Sequence, residues 1–572
     1  MRSIDTLGCI TLNSFDATVL NMDGEDLEEL TENNAGKQGG RRAIRVIAFS
    51  LILCSIIAAF TFVLTPTFGN TAQNSVQDLY DQPRESVDVL VLGTSTLRRA
   101  ISPTFMYEEF GIRSYNRCTD NQQPLASYYL LKESLNLQGN SISVVAMDVN
   151  PILKETGFFA SSGPAERVAT NMRASLDKLD YVRAMSEEFE DIDFMDELFP
   201  LLKYHSRWSG DSPTVLAGAT TENDGFASGM HGQLVSHTAF ESNASRKRAG
   251  KFDASVNNKQ ITDTQDFDTD ELKGEWNDQS VKYFKLIAEL CKERGIKLVL
   301  LKTPAHEWTD RKHDCAKLFA DEIGAAFLDM TEPTIFEECN LSYDTDYYDS
   351  RHVNLMGSEK VSRYFGAYLL KNYEGLSTAE ESSSGFSEDD LASLHRAEEN
   401  SQLLSCDDLS DYIGLLEKER YIIFLASKGE SFESLGKKDL KALEDLGFKA
   451  ISSMSKNDSY VGVACDGESI AHKHSSSGDS VSVAGAFVDG EVMFETTHMQ
   501  NGASFNSPIK LESTGKGSGS VTINFLGDQR AEDNRGLNFV VYDNVMKAIV
   551  DTSSFDTHTG NGRTSDQVKS EK

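Results

Sequence analysis

The chain contains 572 residues, with 89 acidic and 55 basic side chains and a formal net charge of -34. A surface that binds nucleic acid has to be basic, so this balance excludes nucleic acid as an expected partner. The eight cysteines include no CxxC pair, and we predict no metal site and no cofactor. Six of these cysteines follow the first apolar run, and a domain of the size available there does not need disulfides for stability.

A membrane anchor is predicted near the N-terminus, where Val46–Leu64 forms an apolar run without a charged residue. About 20 such residues are enough to cross a bilayer. Arg41, Arg42 and Arg45 precede the run, and no lysine or arginine occurs in 65–81. Because positive charge stays on the cytoplasmic side, we expect the N-terminus inside the cell and most of the chain outside it. A cleaved signal peptide is the rival interpretation, but about 40 residues before the run are too many for one.

Changes in composition divide the chain into seven predicted segments. A serine- and glutamate-rich stretch lacks sustained apolar spacing apart from a short possible helix, and it has the character of a linker. The polar N-terminal stretch has the character of a disordered tail. The predicted segments are a cytoplasmic tail over 1–42, a transmembrane helix over 43–66, a stalk over 67–84, a first outer domain over 85–375, a linker over 376–405, a second outer domain over 406–558 and a disordered tail over 559–572.

The first outer domain alternates between strand-like apolar runs and helical patterns. Such alternation predicts an α/β fold, in which a parallel sheet carries helices on both faces. Active sites of these sheets lie beyond the carboxyl ends of the strands. The predicted strands are Val87–Leu92, Ile142–Asp148, Lys297–Leu301 and Ala326–Asp329, and the predicted helices include Tyr128–Leu137 and Asn277–Gly295.

A candidate catalytic triad joins two distant segments of this domain. Ser95 ends the small-residue turn Gly93-Thr94-Ser95, directly after the first predicted strand, and Asp349 precedes His352 by three residues. An imidazole can take the serine proton and a carboxylate can hold the imidazole tautomer, so these residue types suit nucleophilic acyl transfer. Each motif alone is more often a structural turn or a loop cap. The two motifs together, in this order, favour catalysis.

The first outer domain resembles the SGNH (GDSL-like) hydrolase superfamily, in particular its membrane-anchored bacterial branch. The resemblance rests on Gly93-Thr94-Ser95, on Asp349 and His352 followed by Asn354 and Gly357, and on parts of the segments Gly111–Gln122 and Phe199–Trp208. It implies Ser95 as the nucleophile, His352 as the base and Asp349 as the partner of the base. It also implies an acylated glycan of the cell envelope, or an exported one, as substrate and a multi-pass membrane acyltransferase as partner.

The donors for an oxyanion are less clearly marked than the triad. The backbone N–H of Ser95 is one candidate, and the side chain of Asn116, which follows a strand-like segment, is another. Cys118 stands where the resemblance implies a glycine N–H, so the second donor stays open. Gly93 and Gln122 are further candidates for the wall of the pocket.

His205, Arg207 and Trp208 form a second polar group in the first domain. Arg207 would suit an anionic or carbonyl group, and Trp208 would suit stacking on a sugar. A helix end that packs against the sheet explains the same residues equally well, so both interpretations stay open.

The second outer domain has many predicted strands and few helices, which indicates an α+β or β-sandwich-like unit. It resembles the domain of interleukin-like EMT inducer (ILEI) and PANDER proteins, on the strength of Tyr421–Ala426, Gly429-Glu430-Ser431 and Arg535–Asp543. That resemblance implies carbohydrate binding, and a packing module is the alternative. Because no nucleophile–base pair occurs here, we predict no catalysis in this domain. His472-Lys473-His474 precedes a serine-rich turn and is predicted to be a solvated loop.

The leading hypothesis is therefore a bacterial single-pass membrane protein whose outer domain transfers an acyl group through Ser95. Water as acceptor would make it an esterase, and a sugar hydroxyl would make it an O-acyltransferase. The alternatives are a non-catalytic surface protein that binds a glycan or a partner, and a structural subunit of an acylation complex.

Overall fold

The computed structural model describes the protein over 44–57, 75–199, 202–203, 230–235, 268–304, 308–343, 345–376, 385–429, 431–432, 434–488, 491–494, 509–514, 519–525, 528–546, 548–558, 560 and 562–564. The chain divides into two compact units. The smaller unit contains Met1–Thr67 and Leu198–Ala219, and the larger contains Phe68–Glu197 and Thr220–Lys572. The described part of the smaller unit is chiefly a helix, α1, over 44–57.

Helix α1 lies inside the predicted transmembrane segment 43–66, whose other residues fall outside the described ranges. Among the residues that the structure describes, no helix has both the length and the apolarity needed to cross a membrane. The predicted cytoplasmic tail over 1–42 also lies outside the described ranges.

The predicted stalk over 67–84 is wrong for its second half. Val76 and Leu79 are fully buried in the core of the first domain, and the guanidinium of Arg117 donates a hydrogen bond to the carbonyl oxygen of Val76 at 3.3 Å. Side chains three residues apart lie on the same face of a helical turn. This face packs into the core of the first domain, so the segment is part of that domain and is not a stalk.

A five-stranded parallel sheet forms the centre of the first domain and confirms the α/β prediction. Its strands are β1 (Val89–Leu92), β2 (Ser114–Asn116), β3 (Val144–Asp148), β4 (Lys297–Lys302) and β5 (Ala326–Asp329). They pair in the order β2-β1-β3-β4-β5, and every pair is parallel. All five carboxyl ends therefore meet at one edge of the sheet, which is where ligand sites of such sheets form.

Helices cover both faces of this sheet. Leu90 and Leu92 of β1 point into one apolar core, and Val89 and Val91 point into the other, because successive side chains of a strand alternate between faces. The helices are α2 (Ser95–Ala100), α3 (Pro103–Phe110), α4 (Pro124–Gln138), α5 (Gly163–Asn171), α6 (Leu176–Glu188), α7 (Phe194–Leu198), α8 (Thr269–Gly274), α9 (Asp278–Arg294), α10 (Asp310–Ile323), α11 (Pro333–Glu338) and α12 (Leu355–Asn372).

Local sequence explains several of these helix boundaries. Asn277 accepts a hydrogen bond from the Ser280 N–H at the start of α9, and Gly295 ends that helix with a φ of 70°. A short polar side chain satisfies a free N–H at a helix start, and glycine adopts the left-handed conformation at a helix end without strain. The predicted helix Asn277–Gly295 thus differs from α9 only by its two capping residues.

The second domain contains two five-stranded antiparallel sheets. Their strands are β6 (Tyr421–Lys428), β7 (Ser459–Cys465), β8 (Glu468–Ser475), β9 (Val481–Val488), β10 (Glu491–Phe494), β11 (Ile509–Ser513), β12 (Val521–Phe525), β13 (Asp528–Gln529), β14 (Gly536–Asp543) and β15 (Ala548–Phe555). One sheet has the order β15-β14-β6-β7-β8 and the other β10-β9-β11-β12-β13. Phe424 of the first sheet and Ile523 of the second share one buried core, so the two sheets pack face to face.

The segment 376–405 was predicted to be a linker, and that prediction is wrong for most of its length. Glu388–Ser405 forms the helix α13, which opens with a capping box between Ser387 and Asp390. Two further helices, α14 (Leu409–Leu415) and α15 (Lys437–Asp445), follow it. Leu394 of α13 is fully buried. The sequence indicates only a short possible helix here, because the buried side chains of α13 are few and its start is built from polar residues.

His472-Lys473-His474 was predicted to be a loop, and the structure places it in strand β8 instead. This strand pairs with β7 alone among its described neighbours in the sheet. An edge strand exposed to water carries polar residues that resemble a loop in the sequence, which explains the error. All seven cysteines in the described ranges are free thiols.

Candidate active site

Ser95 is the first residue of helix α2, directly beyond the carboxyl end of β1. The turn between them contains Gly93, whose φ is 152°. A Cβ atom at this glycine would lie 2.5 Å from the Cβ of Asp148 on the neighbouring strand. Only a residue without a side chain permits this approach, so Gly93 lets the chain turn tightly and present the Ser95 hydroxyl at the sheet edge.

A closed loop before helix α12 carries Asp349 and His352. The N–H of Tyr348 donates to the carbonyl oxygen of His352 at 2.9 Å, and Tyr347 forms a β-bridge with Val353. The Asp349 carboxylate accepts the backbone N–H groups of Arg351 at 2.7 Å and of His352 at 2.9 Å. These contacts within the loop hold the carboxylate and the imidazole at a set separation.

The structure brings Ser95, His352 and Asp349 into one hydrogen-bonded row. Ser95 Oγ lies 2.8 Å from His352 Nε2, and His352 Nδ1 lies 2.8 Å from Asp349 Oδ2. A carboxylate only accepts hydrogen bonds, so the neutral imidazole carries its proton on Nδ1 and presents a lone pair on Nε2 to the serine hydroxyl. The row can therefore move a proton from Ser95 to His352.

Neighbouring groups stabilise the ionised form of the Asp349 carboxyl group. Burial raises the pKa of this carboxyl, but the hydrogen bond and the charge of His352, together with the N–H groups of Arg351 and His352, outweigh burial and lower the pKa to about 2. The carboxylate is therefore ionised at any pH near neutrality. The side chains of His352 and Asp349 are 17% and 18% exposed, so the row reaches solvent.

Two residues that sequence analysis did not select lie beside this row. Asp148, at the carboxyl end of β3, accepts hydrogen bonds from the hydroxyls of Thr94 and Thr96, the two neighbours of Ser95. Asn150 donates to the same carboxylate from its backbone N–H at 2.9 Å and its side-chain amide at 2.7 Å. The signal was available, because a buried strand that ends in aspartate next to the serine strand places a carboxylate at the same edge.

Asn116, predicted as an oxyanion donor, is used elsewhere. Its side-chain amide donates to the carbonyl oxygens of Leu97, Arg98 and Ile101 at 3.0 to 3.3 Å, and the residue is fully buried. These carbonyls lie at the carboxyl end of α2 or just beyond it, where intrahelical donors run out, although that of Leu97 also accepts the backbone N–H of Ile101. The prediction for Asn116 is corrected: the amide hydrogens are engaged by carbonyls at a helix end.

Gln122 and Cys118 are also buried. Gln122 accepts a hydrogen bond from the Thr119 hydroxyl and donates one to the Ser127 hydroxyl, both at 3.0 Å. Both polar ends of this side chain are thus engaged, one by the turn before α4 and the other by the first turn of α4. Burial raises the pKa of the Cys118 thiol well above its usual range. His205, Arg207 and Trp208 lie outside the described residues.

Comparison with known proteins adds little to this geometry. No protein-family model matches the sequence, and no curated protein matches it. Among solved structures, the chain aligns with the crystal structure of a candidate acylhydrolase from Bacteroides fragilis, with 12% identity and a TM-score of 0.21. The alignment covers 52% of this chain and 95% of that chain. A likeness of this size carries no argument about activity.

A second polar group lies farther along the same sheet edge. Asp329, at the end of β5, accepts hydrogen bonds from His313 at 2.7 Å and Trp308 at 2.8 Å on one oxygen, and from Thr331 on the other. The ligand atoms of His313, Asp329 and Glu332 all lie within 4.8 Å of one another. Both oxygens of Asp329 are engaged by protein donors, so these contacts form a hydrogen-bonded network.

Proposed function

We propose that the protein is a serine-dependent acyl hydrolase or acyltransferase with Ser95 as its nucleophile. The observation that carries the proposal is the hydrogen-bonded row from Ser95 through His352 to Asp349. A serine hydroxyl is a weak nucleophile until an adjacent base takes its proton, and a base with an oriented tautomer is what this row supplies.

The reaction follows from the placement of the protons. As Ser95 Oγ bonds to the carbonyl carbon of an ester, its proton passes to His352 Nε2, and Asp349 stabilises the imidazolium that forms. The tetrahedral intermediate then expels the alcohol, whose oxygen takes the proton from His352. Water or an acceptor hydroxyl loses a proton to His352, attacks the acyl-serine and releases the acyl group. His352 returns that proton to Ser95.

The oxyanion of each intermediate needs hydrogen-bond donors. The backbone N–H of Ser95 is one, because the first N–H groups of a helix have no intrahelical acceptor. We propose the side-chain amide of Asn150 as the second, in place of Asn116. The carboxylate that holds Asn150 also holds Thr94 and Thr96 on either side of Ser95, and an amide nitrogen has a second hydrogen to donate.

We further propose that the substrate is an acyl ester of a cell-envelope or exported glycan outside the cell. The apolar run Val46–Leu64 with its preceding arginines supports this location, and the SGNH resemblance supports this substrate class. A multi-pass membrane acyltransferase as partner rests on the same resemblance. The carbohydrate-binding role of the second domain rests on its resemblance to ILEI and PANDER domains.

The first experiment is fluorophosphonate labelling and p-nitrophenyl acetate hydrolysis by the full-length protein in detergent. We expect both reactions in the wild type and neither in Ser95→Ala or His352→Ala. Ser186→Ala, which removes a hydroxyl on α6 that bonds only its own helix, should behave as the wild type. A wild type that neither reacts with the probe nor hydrolyses the ester, or labelling that survives Ser95→Ala, would overturn the proposal.

A further inference from the structure

The carboxylate of Asp148 connects the turns that follow two neighbouring strands. One oxygen accepts the hydroxyl of Thr94 and the hydroxyl of Thr96, the latter at 3.3 Å. The other oxygen accepts the backbone N–H and the side-chain amide of Asn150. A single side chain thus engages both neighbours of Ser95 and the residue two positions beyond β3.

Backbone packing holds this carboxylate against the serine turn. The absence of a side chain at Gly93 allows Asp148 to approach, since an added Cβ would lie 2.5 Å from the Asp148 Cβ and 3.2 Å from its backbone nitrogen. Strands β1 and β3 are hydrogen-bonded neighbours in which Leu92 lies opposite Met147. Asp148, which follows Met147, therefore lies beside Gly93, the first residue of the turn after β1.

The carboxylate is buried, so its charge needs compensation inside the protein. Asp148 is 1% exposed. Lys302 at the end of β4 is 2% exposed. Burial lowers the pKa of Lys302 to about 8, and the charges of Asp148 and Asp329 oppose that shift. Three adjacent strands therefore end in an acid, a base and an acid, and Lys302 supplies positive charge between the two carboxylates.

Asp148 determines where the two threonine hydroxyls beside Ser95 donate their hydrogens. A threonine hydroxyl has one hydrogen, and a carboxylate has none to offer. The Thr94 hydroxyl that donates to Asp148 cannot also donate to His352 Nε2, and the Thr96 hydroxyl is tied to the same oxygen and to Thr94 at 3.0 Å. Ser95 is thus the hydroxyl left in this turn to pair with the imidazole.

We propose that Asp148 is a positioning residue of the serine site, which holds the turn around Ser95 and orients the amide of Asn150 toward the same edge. The inference rests on the proposed function for its kinetic consequence, but the hydrogen-bond bridge itself can be tested without any activity.

The direct test compares Asp148→Asn with Asp329→Asn. Both substitutions replace a buried strand-end carboxylate near Lys302 by a neutral group of the same shape, and only Asp148 contacts the serine turn. We expect Asp148→Asn to lower kcat for p-nitrophenyl acetate and the rate of fluorophosphonate labelling by at least tenfold, because its amide presents hydrogens to groups that donate. KM and the shape of the pH profile should change little. Asp329→Asn should leave the labelling rate within about twofold of the wild type.

A second pair of variants keeps the test usable if Asp148→Asn does not fold. Thr94→Val removes the hydroxyl with little change of shape and should reproduce the loss of labelling, and Thr94→Ser restores a hydroxyl and should recover most of it. Equal labelling rates in Thr94→Val and Thr94→Ser would overturn the proposal. So would losses in Asp148→Asn and Asp329→Asn that match each other.

Amide hydrogen exchange separates this inference from the proposed function. In Asp148→Asn, or in Thr94→Val if that variant alone folds, we expect faster exchange across the peptide that covers 93–97 than in Asp329→Asn. If the wild type shows no serine reactivity but the exchange difference is present, the proposed function fails and the bridge stands. If the exchange of 93–97 is unchanged while Ser95 remains reactive, the bridge does not hold the turn and the inference fails.

Discussion

Ser95 Oγ lies 2.8 Å from His352 Nε2, although 257 residues separate the two in the chain. Each residue sits at the start of a helix or just before one, Ser95 in α2 and His352 before α12, and these two helices contact each other. Arg99, one turn after Ser95, also places its guanidinium 4.9 Å from the ring centre of Tyr348 in the His352 loop. The serine–imidazole distance is thus set by packing between two distant segments.

Asp349→Asn should separate chemistry from stability. The asparagine can still accept the backbone N–H groups that Asp349 accepts, but its NH2 group then faces His352 Nδ1 and favours the tautomer with a proton on Nε2. That tautomer cannot take the proton of Ser95. We expect turnover to fall by about 10²- to 10⁴-fold, with a melting temperature within a few degrees of the wild type. Turnover near the wild-type value would show that Asp349 does not set the tautomer.

Gly93→Ala should destabilise the protein strongly. The added methyl group would overlap Asp148 and Leu97 at a φ that alanine avoids, and overpacking and strain each cost about 1–3 kcal/mol. We expect chemical denaturation to report a loss of more than about 2 kcal/mol in the free energy of unfolding. Gly414→Ala is the control, because its new methyl would contact nothing within 4 Å and alanine stabilises a helix relative to glycine by up to about 1 kcal/mol. Equal effects of the two variants would refute the close approach.

Leu394→Ala should affect the serine site from a distance. Leu394 of α13 packs in one small core with Leu355, three residues after His352, and with Met546 of the second domain. Removing it leaves a cavity, and such truncations cost about 2–5 kcal/mol. We expect lower stability and a several-fold slower labelling of Ser95, since the start of α12 loses a neighbour.

The matched control for that variant is Leu403→Ala on the same helix. Leu403 is equally buried but packs only in the core of the second domain. It should lose a comparable free energy of unfolding and keep the labelling rate of the wild type. A slower rate in both variants would mean that the rate follows overall stability and not the small core that Leu394 shares with Leu355.

Glu359→Gln should change how stability depends on pH. Burial raises the pKa of Glu359, and Glu398 on α13 and Glu108 on α3 raise it further against the attraction of Arg363 and Lys360, to about 8. A carboxyl whose pKa is higher in the folded state binds its proton more tightly there. Its contribution to stability is complete below about pH 4.5 and is lost as the pH rises towards 8.

Glutamine stays neutral at every pH, so Glu359→Gln should lose less stability than the wild type between pH 5 and 8. Melting temperatures across that range measure the difference, which should favour the variant most at pH 8. Glu374→Gln, at an exposed position, should follow the wild-type curve. If the melting temperatures of Glu359→Gln and the wild type change with pH in parallel, the pKa of Glu359 is not raised.

The sequence alone determined the local elements and the triad candidates. Apolar runs marked β1, β3, β4 and β5, because buried strands of a parallel sheet are apolar on both faces. Ser95 was selected as a candidate because a small-residue turn after such a strand lies at the edge of the sheet where active sites of this fold form. Asp349 and His352 were selected as candidates because their spacing of three is local and their residue types suit a base and its partner.

Only the tertiary structure decided what the other polar side chains do. Asn116 has the right type and position for an oxyanion donor, yet its amide caps the carbonyls at the end of α2. Asp148 ends a strand that the sequence predicts, but nothing local shows that its carboxylate binds both neighbours of Ser95. A buried polar group takes whichever partner folding brings within hydrogen-bond distance. Those partners are distant in the chain. Periodicity and residue spacing describe only local sequence, so they cannot predict these hydrogen bonds.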